Sequence, residues 1–327
     1  MSDRLNIPLI EAVDVKKYFK VQKSHFLHAV DGINFRIDEG RTLGVVGESG
    51  CGKSTLGTTV IRLEEPTSGQ VLFRGEDIFH LNKAEMRKMR AKMNIIFQDP
   101  YSSLDPRMTV AESIMEPMFL TGAVKNHAEA IQKTQKLMEI VGLASRVENA
   151  YPHELDGGRR QRVGIARTLS VNPEFVVCDE PVSALDVSIQ AQILNLLMDL
   201  QKDMGLTYLF ISHNLAVVKH ISDEIMVMYC GVCVEQAITE ELFQNPLHPY
   251  TLALMNAIPI PRLESIGTEL ALLKGEVSSP IDPPKGCRFA KRCGRCTAEC
   301  MENDIPLTEI NGKHKVACIH YEKGESK

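Results

Sequence analysis

No stretch of about 18 consecutive apolar residues occurs in this 327-residue chain, so no part of it reads as a membrane-spanning helix. It has no excess of basic charge: 37 Lys and Arg against 42 Asp and Glu give a net charge of −5. That balance is a poor match to a non-specific nucleic-acid binder. The opening Met1-Ser2-Asp3-Arg4-Leu5 lacks the charged-then-apolar pattern of a secretory signal, so the cytoplasm is expected. Internal repeats and sustained heptads are also absent, which argues against a solenoid or a coiled coil.

What is present is ordinary for a globular protein. Hydrophobic residues make up 44% and charged residues 24%, enough to bury a real core, and the length suits about two domains. The nine cysteines are unevenly placed, with Cys287, Cys293, Cys296, Cys300 and Cys318 all in the last 41 residues. In a cytosolic chain such clustering suggests a metal or cluster more than disulfides. Cys51, Cys178, Cys230 and Cys233 read as small core or loop residues.

The first 240 or so residues alternate short apolar runs with helical patterns, the signature of an α/β fold with a mostly parallel sheet. Arg41–Val46, Met93–Phe97, Glu174–Cys178 and Thr207–Ile211 are the expected strands. A helix is expected from about Ser54, with Leu56, Val60, Ile61 and Leu63 near helical spacing. Residues 99–171 contain no convincing strand and read as a helical insertion, and Glu224–Gln236 reads as a hairpin turning at Gly231. From about Asn245 prolines gather at 246, 249, 259, 261, 280, 283 and 284, and the cysteines follow. The expected division is therefore 1–244 and a small C-terminal domain, 245–327. Residues 285–327 hold nine Lys or Arg against six Asp or Glu, which reads as a solvated basic surface.

Gly47-Glu48-Ser49-Gly50-Cys51-Gly52-Lys53-Ser54-Thr55 fits G-x-x-x-x-G-K-[ST], after a strand and before a helix. The glycines let backbone N–H groups face inward without side-chain clash, and a helix N-terminus adds its partial positive charge, so phosphates are the natural ligand. Lys53 is expected on the β- and γ-phosphates and the Ser54 hydroxyl on Mg²⁺. Phe175-Val176-Val177-Cys178-Asp179-Glu180 is an apolar run ending in two carboxylates: Asp179 suits Mg²⁺ and Glu180 is placed to polarise an attacking water.

The order of these motifs resembles the ATP-binding subunits of ABC transporters. Gln98 follows its strand as the Q-loop glutamine does. Leu155-Asp156-Gly157-Gly158-Arg159-Arg160-Gln161 sits where the family signature stands. Ser183-Ala184-Leu185-Asp186 looks like the D-loop, His213 like the switch histidine, and Tyr18, 29 residues before Gly47, like the aromatic that stacks on adenine. The resemblance covers nearly the whole chain. It implies a P-loop NTPase (RecA-like) core with an antiparallel β part and a helical subdomain. It also implies ATP with Mg²⁺ as cofactor, held by Ser54, Gln98 and Asp179. Two ATP molecules would lie between two head-to-tail ATPase subunits, each pairing one P-loop with the other's signature, while His213 holds the γ-phosphate and the water in line.

The signature departs from the usual L-S-G-G-Q at Asp156 and Arg159. Two readings of Asp156 stay open. A carboxylate facing the partner's γ-phosphate repels it, by about 1 kcal/mol per charge pair at 4 Å in water and about 4 at an effective dielectric near 20, and implies an asymmetric heterodimer. Alternatively Asp156 caps its helix, doing locally what Ser does. An ATP-binding subunit with one degenerate site therefore remains an alternative. Soluble ABC ATPases of DNA repair or translation carry two cassettes or a long coiled-coil insertion. A P-loop kinase lacks the Leu155–Arg159 region and His213. Neither pattern is here.

Asn245-Pro246-Leu247-His248-Pro249-Tyr250-Thr251 and the cysteine-bearing tail resemble the peptide/nickel importer branch, and the tail is more similar to the second of its two ATPase subunits. The resemblance implies import of oligopeptides or dipeptides, with nickel or another metal chelate as the alternative cargo. Implied partners are a second ATPase, two membrane permease subunits and an extracytoplasmic peptide-binding protein, and the implied location is the cytoplasmic face of the membrane. Cys287, Cys293, Cys300 and Cys318, separated by five, six and seventeen residues, fit the family's [4Fe–4S] spacing. Four thiolates suit Zn²⁺ equally, Cys296 offers a rival ligand, and cysteines that hold no metal are the third reading.

Overall fold

Strands buried on both faces need apolar side chains on both faces, and Phe175–Asp179 is such a strand, all five residues buried. It runs parallel to Met93–Ile96, in register Met93↔Phe175 to Ile96↔Cys178. It is also parallel to Thr207–Ser212, in register Phe175↔Thr207 to Asp179↔Ile211. The computed structural model describes residues 7–22, 24–257, 278–312 and 314–321. These three strands, apart from Ser212, belong to one compact unit, made of the described residues up to Ile10, Ile37–Arg41 and Leu72–Ile211. The second unit takes Glu11–Arg36, Thr42–Val71 and the described residues from Ser212 onward.

The helical insertion is as expected. Pro100–Ser103, Val110–Thr121, His127–Ile140 and Gly157–Leu169 are α-helices, and no strand lies among them. Their starts are chemically marked: Thr109 and Glu112 form a capping box, while Asn126 and Asp156 accept from backbone N–H groups three residues on. Gly122, at φ 74°, ends the second of these helices in the left-handed conformation that glycine adopts without penalty.

In the second unit Thr42–Val46 pairs parallel with Glu224–Tyr229. Glu224–Tyr229 pairs in turn with Val232–Ile238 through the expected hairpin. Its loop is Cys230–Gly231, with φ of 44° and 85°, the positive-φ pair that a two-residue type I′ turn requires. Val232–Ile238 also pairs antiparallel with His314–Val316, which pairs with Thr308–Glu309. The described tail thus adds strands to the hairpin's own sheet and lies in the same compact unit as the P-loop. In a second sheet His25–Ile37, Ile10–Gln22 and Ser68–Phe73 are neighbours in that order.

Buried Glu235 explains the His-Pro-Tyr segment. Its two carboxylate oxygens accept the Leu247 N–H at 2.7 Å and the His248 N–H at 3.0 Å, and His314 Nε2 lies 2.7 Å from it. His248 caps the helix Pro249–Asn256 through Nδ1, which accepts the Tyr250 N–H at 3.1 Å. Burial pushes the His248 imidazole down to about 4, against a smaller upward pull from Glu235. The ring is therefore neutral and its Nδ1 free to accept. Prolines 259 and 261, the basic residues 313, 323 and 327, and the opening Met1–Leu5 lie outside the described residues.

Candidate functional site: a phosphate loop and a carboxylate pair

The loop Gly47–Gly52 joins the buried strand Thr42–Val46 to the helix Lys53–Val60. A Cβ at Gly47 would stand 2.2 Å from the Met228 carbonyl oxygen, and one at Gly52, where φ is 102°, 1.9 Å from that of Ala29. Both positions exclude every other residue. Gly52 caps the helix without a side-chain bond, and a helix N-terminus of this kind suits an anionic ligand. Lys53, nearly buried, folds back onto the loop: Nζ donates to the carbonyls of Gly47 at 2.8 Å and Glu48 at 3.0 Å, and lies 3.8 Å from Cys51 Sγ. Burial pushes the Cys51 thiol up, which keeps it protonated beside the ammonium. A glycine cradle with an ammonium at its centre fits a polyphosphate.

Glu48 is tied from outside the loop. Its N–H donates to Tyr250 Oη at 2.8 Å, and its carboxylate receives Arg292 Nη1 at 2.7 Å and Nη2 at 3.1 Å. The Arg292 side chain is 5% exposed. Tyr18 lies on the strand Ile10–Gln22. Its ring stacks on His28 with centroids 3.9 Å apart, and its hydroxyl donates to Asp31. Asp31 also meets His28 Nδ1 at 3.1 Å and Arg288 Nη2 at 2.5 Å. Burial alone would raise the Asp31 carboxyl. The bonds from Tyr18, His28 and Arg288 outweigh it and hold the group below the usual carboxylate range. Sequence reasoning missed Arg288, Arg292, Asp31 and Tyr250. Two residues of the expected solvated basic surface, Arg288 and Arg292, are instead largely buried in ion pairs.

In the other unit, Asp179 ends the strand Phe175–Asp179 and Glu180 follows it, with exposures of 7% and 9%. Glu180 has φ 45°, a left-handed conformation that costs a non-glycine residue of order 1 kcal/mol and occurs at working sites. Its N–H donates to the Ile211 carbonyl at 2.9 Å. Gln98 Nε2 donates to Glu180 Oε2 at 3.1 Å, so these two expected residues are brought together. Ser183 Oγ donates to the Glu180 carbonyl at 3.1 Å. Asp186 caps the helix Val187–Met204, accepting from Ile189 N–H at 3.0 Å.

Asp156 caps the signature helix Gly157–Leu169, accepting from Arg159 N–H at 2.8 Å, and Arg159 Nε stands 3.4 Å from its other oxygen. The local capping role is thus present, with a cation beside the carboxylate. A Cβ at Gly158 would stand 2.8 Å from Ile189 Cγ2, so the Gly-Gly pair lets the signature helix approach Val187–Met204. His213 follows the strand Thr207–Ser212 and is exposed. Ser49 and Gly50 lie in the loop before the helix, and Ser54 and Thr55 in its first turn.

The cysteines do not form a ready-made metal centre. Among the described residues no group of three or more His, Cys, Asp or Glu side chains is arranged to hold a metal ion. Cys287, Cys293, Cys300 and Cys318 are free thiols. Burial pushes the Cys287 thiol up to about 11, and the charges of Cys293, Cys300 and Cys318 push the same way. Among the described residues, no helix is long and apolar enough to cross a membrane.

The model of the ABC transporter family matches residues 30–183, and that of the oligopeptide/dipeptide transporter C-terminal region matches residues 234–300. Over 321 residues the chain is 49% identical to the oligopeptide transport ATP-binding protein AppF of Bacillus subtilis, covering 96% of this chain and 97% of that one. Over 321 residues it is 46% identical to the dipeptide transport ATP-binding protein DppF of Haemophilus influenzae, again covering 96% and 97%. Among solved structures, the dimeric post-hydrolysis state of the ATP-binding cassette MJ0796 bound to ADP and Pi matches with a TM-score of 0.65. It is 28% identical, covering 70% of this chain and 98% of that one. With both family models matched and such identity over nearly its whole length, the chain belongs to the ATP-binding subunits of oligopeptide and dipeptide ABC transporters.

Proposed function

We infer that this chain hydrolyses ATP to energise import of oligopeptides or dipeptides by an ABC transporter. The observation that carries the reading is a complete phosphate loop in a chain that matches oligopeptide and dipeptide transport ATP-binding proteins end to end. The loop N–H groups and Lys53 hold the phosphates. Ser54, Asp179 and Gln98 would hold Mg²⁺, which supplies charge neutralisation for the triphosphate. Glu180 takes the proton of the attacking water, Gln98 orients that carboxylate, and His213 aligns the water with the γ-phosphate. Tyr18, held by His28 and Asp31, would stack on adenine. Asp156, Gly157, Gly158 and Arg159 would face the ATP held by a second ATPase subunit, with Ser183 and Asp186 forming the D-loop.

The finer assembly follows the same reading: a heterodimer of ATPases, two permease subunits and an extracytoplasmic peptide-binding protein, with this chain on the cytoplasmic face and residues 245–327 acting as a C-terminal part. A [4Fe–4S] cluster on Cys287, Cys293, Cys300 and Cys318 is the finer reading of the cysteines. What supports it is the spacing of the four cysteines, with the Arg295 N–H donating to Cys293 Sγ at 3.4 Å and Thr297 Oγ1 lying 3.4 Å from Cys300 Sγ. Ligation would require the thiols to reorient and lose their protons. Iron and acid-labile sulfide, assayed after anaerobic purification, decide it.

Uptake of labelled di- and pentapeptides, with nickel in parallel, tests the function in cells carrying wild type or Glu180→Gln. Loss of peptide uptake is expected. Lost nickel uptake with intact peptide uptake moves the cargo to metal chelates, and no change in either refutes the reading.

A further inference from the structure

We propose that Arg292 and Arg288 of the Cys287–Cys293 segment are positioning residues for ATP: Arg292 sets the phosphate loop through Glu48, and Arg288 sets Tyr18 through Asp31. The inference rests on the ATP reading above and adds to it the part of the chain that shapes the nucleotide site.

A carboxylate inside a loop built for phosphates is an electrostatic contradiction. Glu48 immediately follows Gly47, and its backbone carbonyl is one of the two that hold Lys53 Nζ. Left alone, its charge opposes a triphosphate. Arg292 cancels that charge with a two-pronged bond, Nη1–Oε2 at 2.7 Å and Nη2–Oε1 at 3.1 Å, the geometry that a planar guanidinium favours. The guanidinium is confined further by the rings of Tyr229 and Phe289, whose centroids lie 5.8 and 6.0 Å away. Tyr250 Oη accepts the Glu48 N–H, so backbone and side chain of this loop residue are both fixed by groups outside the motif.

The second tie is parallel. Arg288 donates to Asp31 and to the Cys230 carbonyl at 3.3 Å, and Asp31 holds the Tyr18 hydroxyl. Arg288 and Arg292 are four residues apart in a segment that is itself anchored: Cys287 N–H donates to the Cys300 carbonyl at 2.7 Å, Ala290 N–H to that of Cys287 at 3.0 Å, and Phe289 is 2% exposed. Removing Arg292 leaves the partly buried Glu48 carboxylate without its counter-charge, and removing Arg288 leaves Asp31 with only Tyr18 and His28. For Glu48 that carboxylate stands in the phosphate loop. For Asp31 the loss frees the ring expected to meet adenine.

The test uses the full-length chain for binding and the assembled transporter for turnover. Titrations with MgATP and with magnesium tripolyphosphate compare wild type, Arg292→Gln, Arg292→Lys, Arg288→Gln and the double variant Glu48→Gln/Arg292→Gln. Arg292→Gln is expected to weaken both ligands about tenfold, and Arg292→Lys less, because it keeps the charge and loses the fork. Arg288→Gln is expected to weaken MgATP but not tripolyphosphate. In turnover, KM for ATP rises for Arg292→Gln while kcat at saturating ATP stays within about twofold, the pattern of binding lost equally from the ground state and the transition state. The double variant is expected to bind more tightly than Arg292→Gln alone, because the unbalanced carboxylate is gone. A merely structural arginine would instead make the double variant worse, or lower the nucleotide-free melting temperature with no split between KM and kcat. If wild type binds MgATP and Arg292→Gln binds it equally well, the positioning role is overturned and the ATPase reading stands. If wild type binds no MgATP, both are overturned.

Discussion

His248 makes the fold pH-sensitive in a way the structure lets one calculate. Its imidazole is 1% exposed, and its Nδ1 must be bare to accept the Tyr250 N–H and cap the helix Pro249–Asn256. Protonation removes that acceptor and places a charge in the core, so burial holds the group at about 4 against an ordinary 6.5. Between those values the unfolded chain binds a proton that the folded chain refuses. Stability therefore rises with pH across the window and is lost as pH falls from about 6.5 toward about 4. At 1.36 kcal/mol per pH unit, the loss reaches about 2 kcal/mol at pH 5 relative to pH 7.5. His248→Asn keeps a capping oxygen and removes the titration. The cavity it leaves costs stability equally at every pH, so it cancels in a difference. Urea unfolding of wild type and variant at pH 5, 6, 6.5 and 7.5 gives that difference directly. The expected result is a gap that shifts by about 2 kcal/mol in favour of the variant on going to pH 5. A gap constant across this range refutes the claim that His248 is buried neutral.

Three further outcomes follow from the sites. Glu180→Gln keeps an oxygen for the Gln98 donor while losing the base, so kcat of the assembled transporter should fall by about 10²–10⁴ with MgATP binding retained; unchanged turnover would remove Glu180 from the chemistry. Gly52→Ala forces a Cβ to within 1.9 Å of the Ala29 carbonyl at φ 102°, so the ATP-dependent rise in melting temperature should disappear, and its survival would show that the loop tolerates a side chain there. Asp156→Ala should cost about 1 kcal/mol in urea unfolding and Asp156→Ser only a few tenths, because serine restores the cap; equal losses would contradict the capping role.

The legible parts of the molecule were those whose meaning is local. The phosphate loop carries its own punctuation in Gly47, Gly52 and Lys53. Phe175–Asp179 announces burial on both faces by an unbroken apolar run, and the hairpin turn is marked by Gly231. Each signal lies within about ten residues, the range over which periodicity and turn chemistry act. The pairings that fix the site act over distances no local pattern carries. Arg292 reaches Glu48 across 244 positions, and Arg288 reaches Asp31 across 257. Glu235 and His314 are 79 apart. A run of lysines and arginines between cysteines looks the same whether it faces water or a buried carboxylate, so the tail read as solvated. One signal was nevertheless available without coordinates. Glu48 stands inside a loop whose ligand is anionic, and a charge of the wrong sign at a binding site requires a counter-charge from elsewhere in the chain. Asking which distant arginine supplies it leads to the tail, because a carboxylate that weakens the loop's own ligand is tolerable only where a cation is held against it.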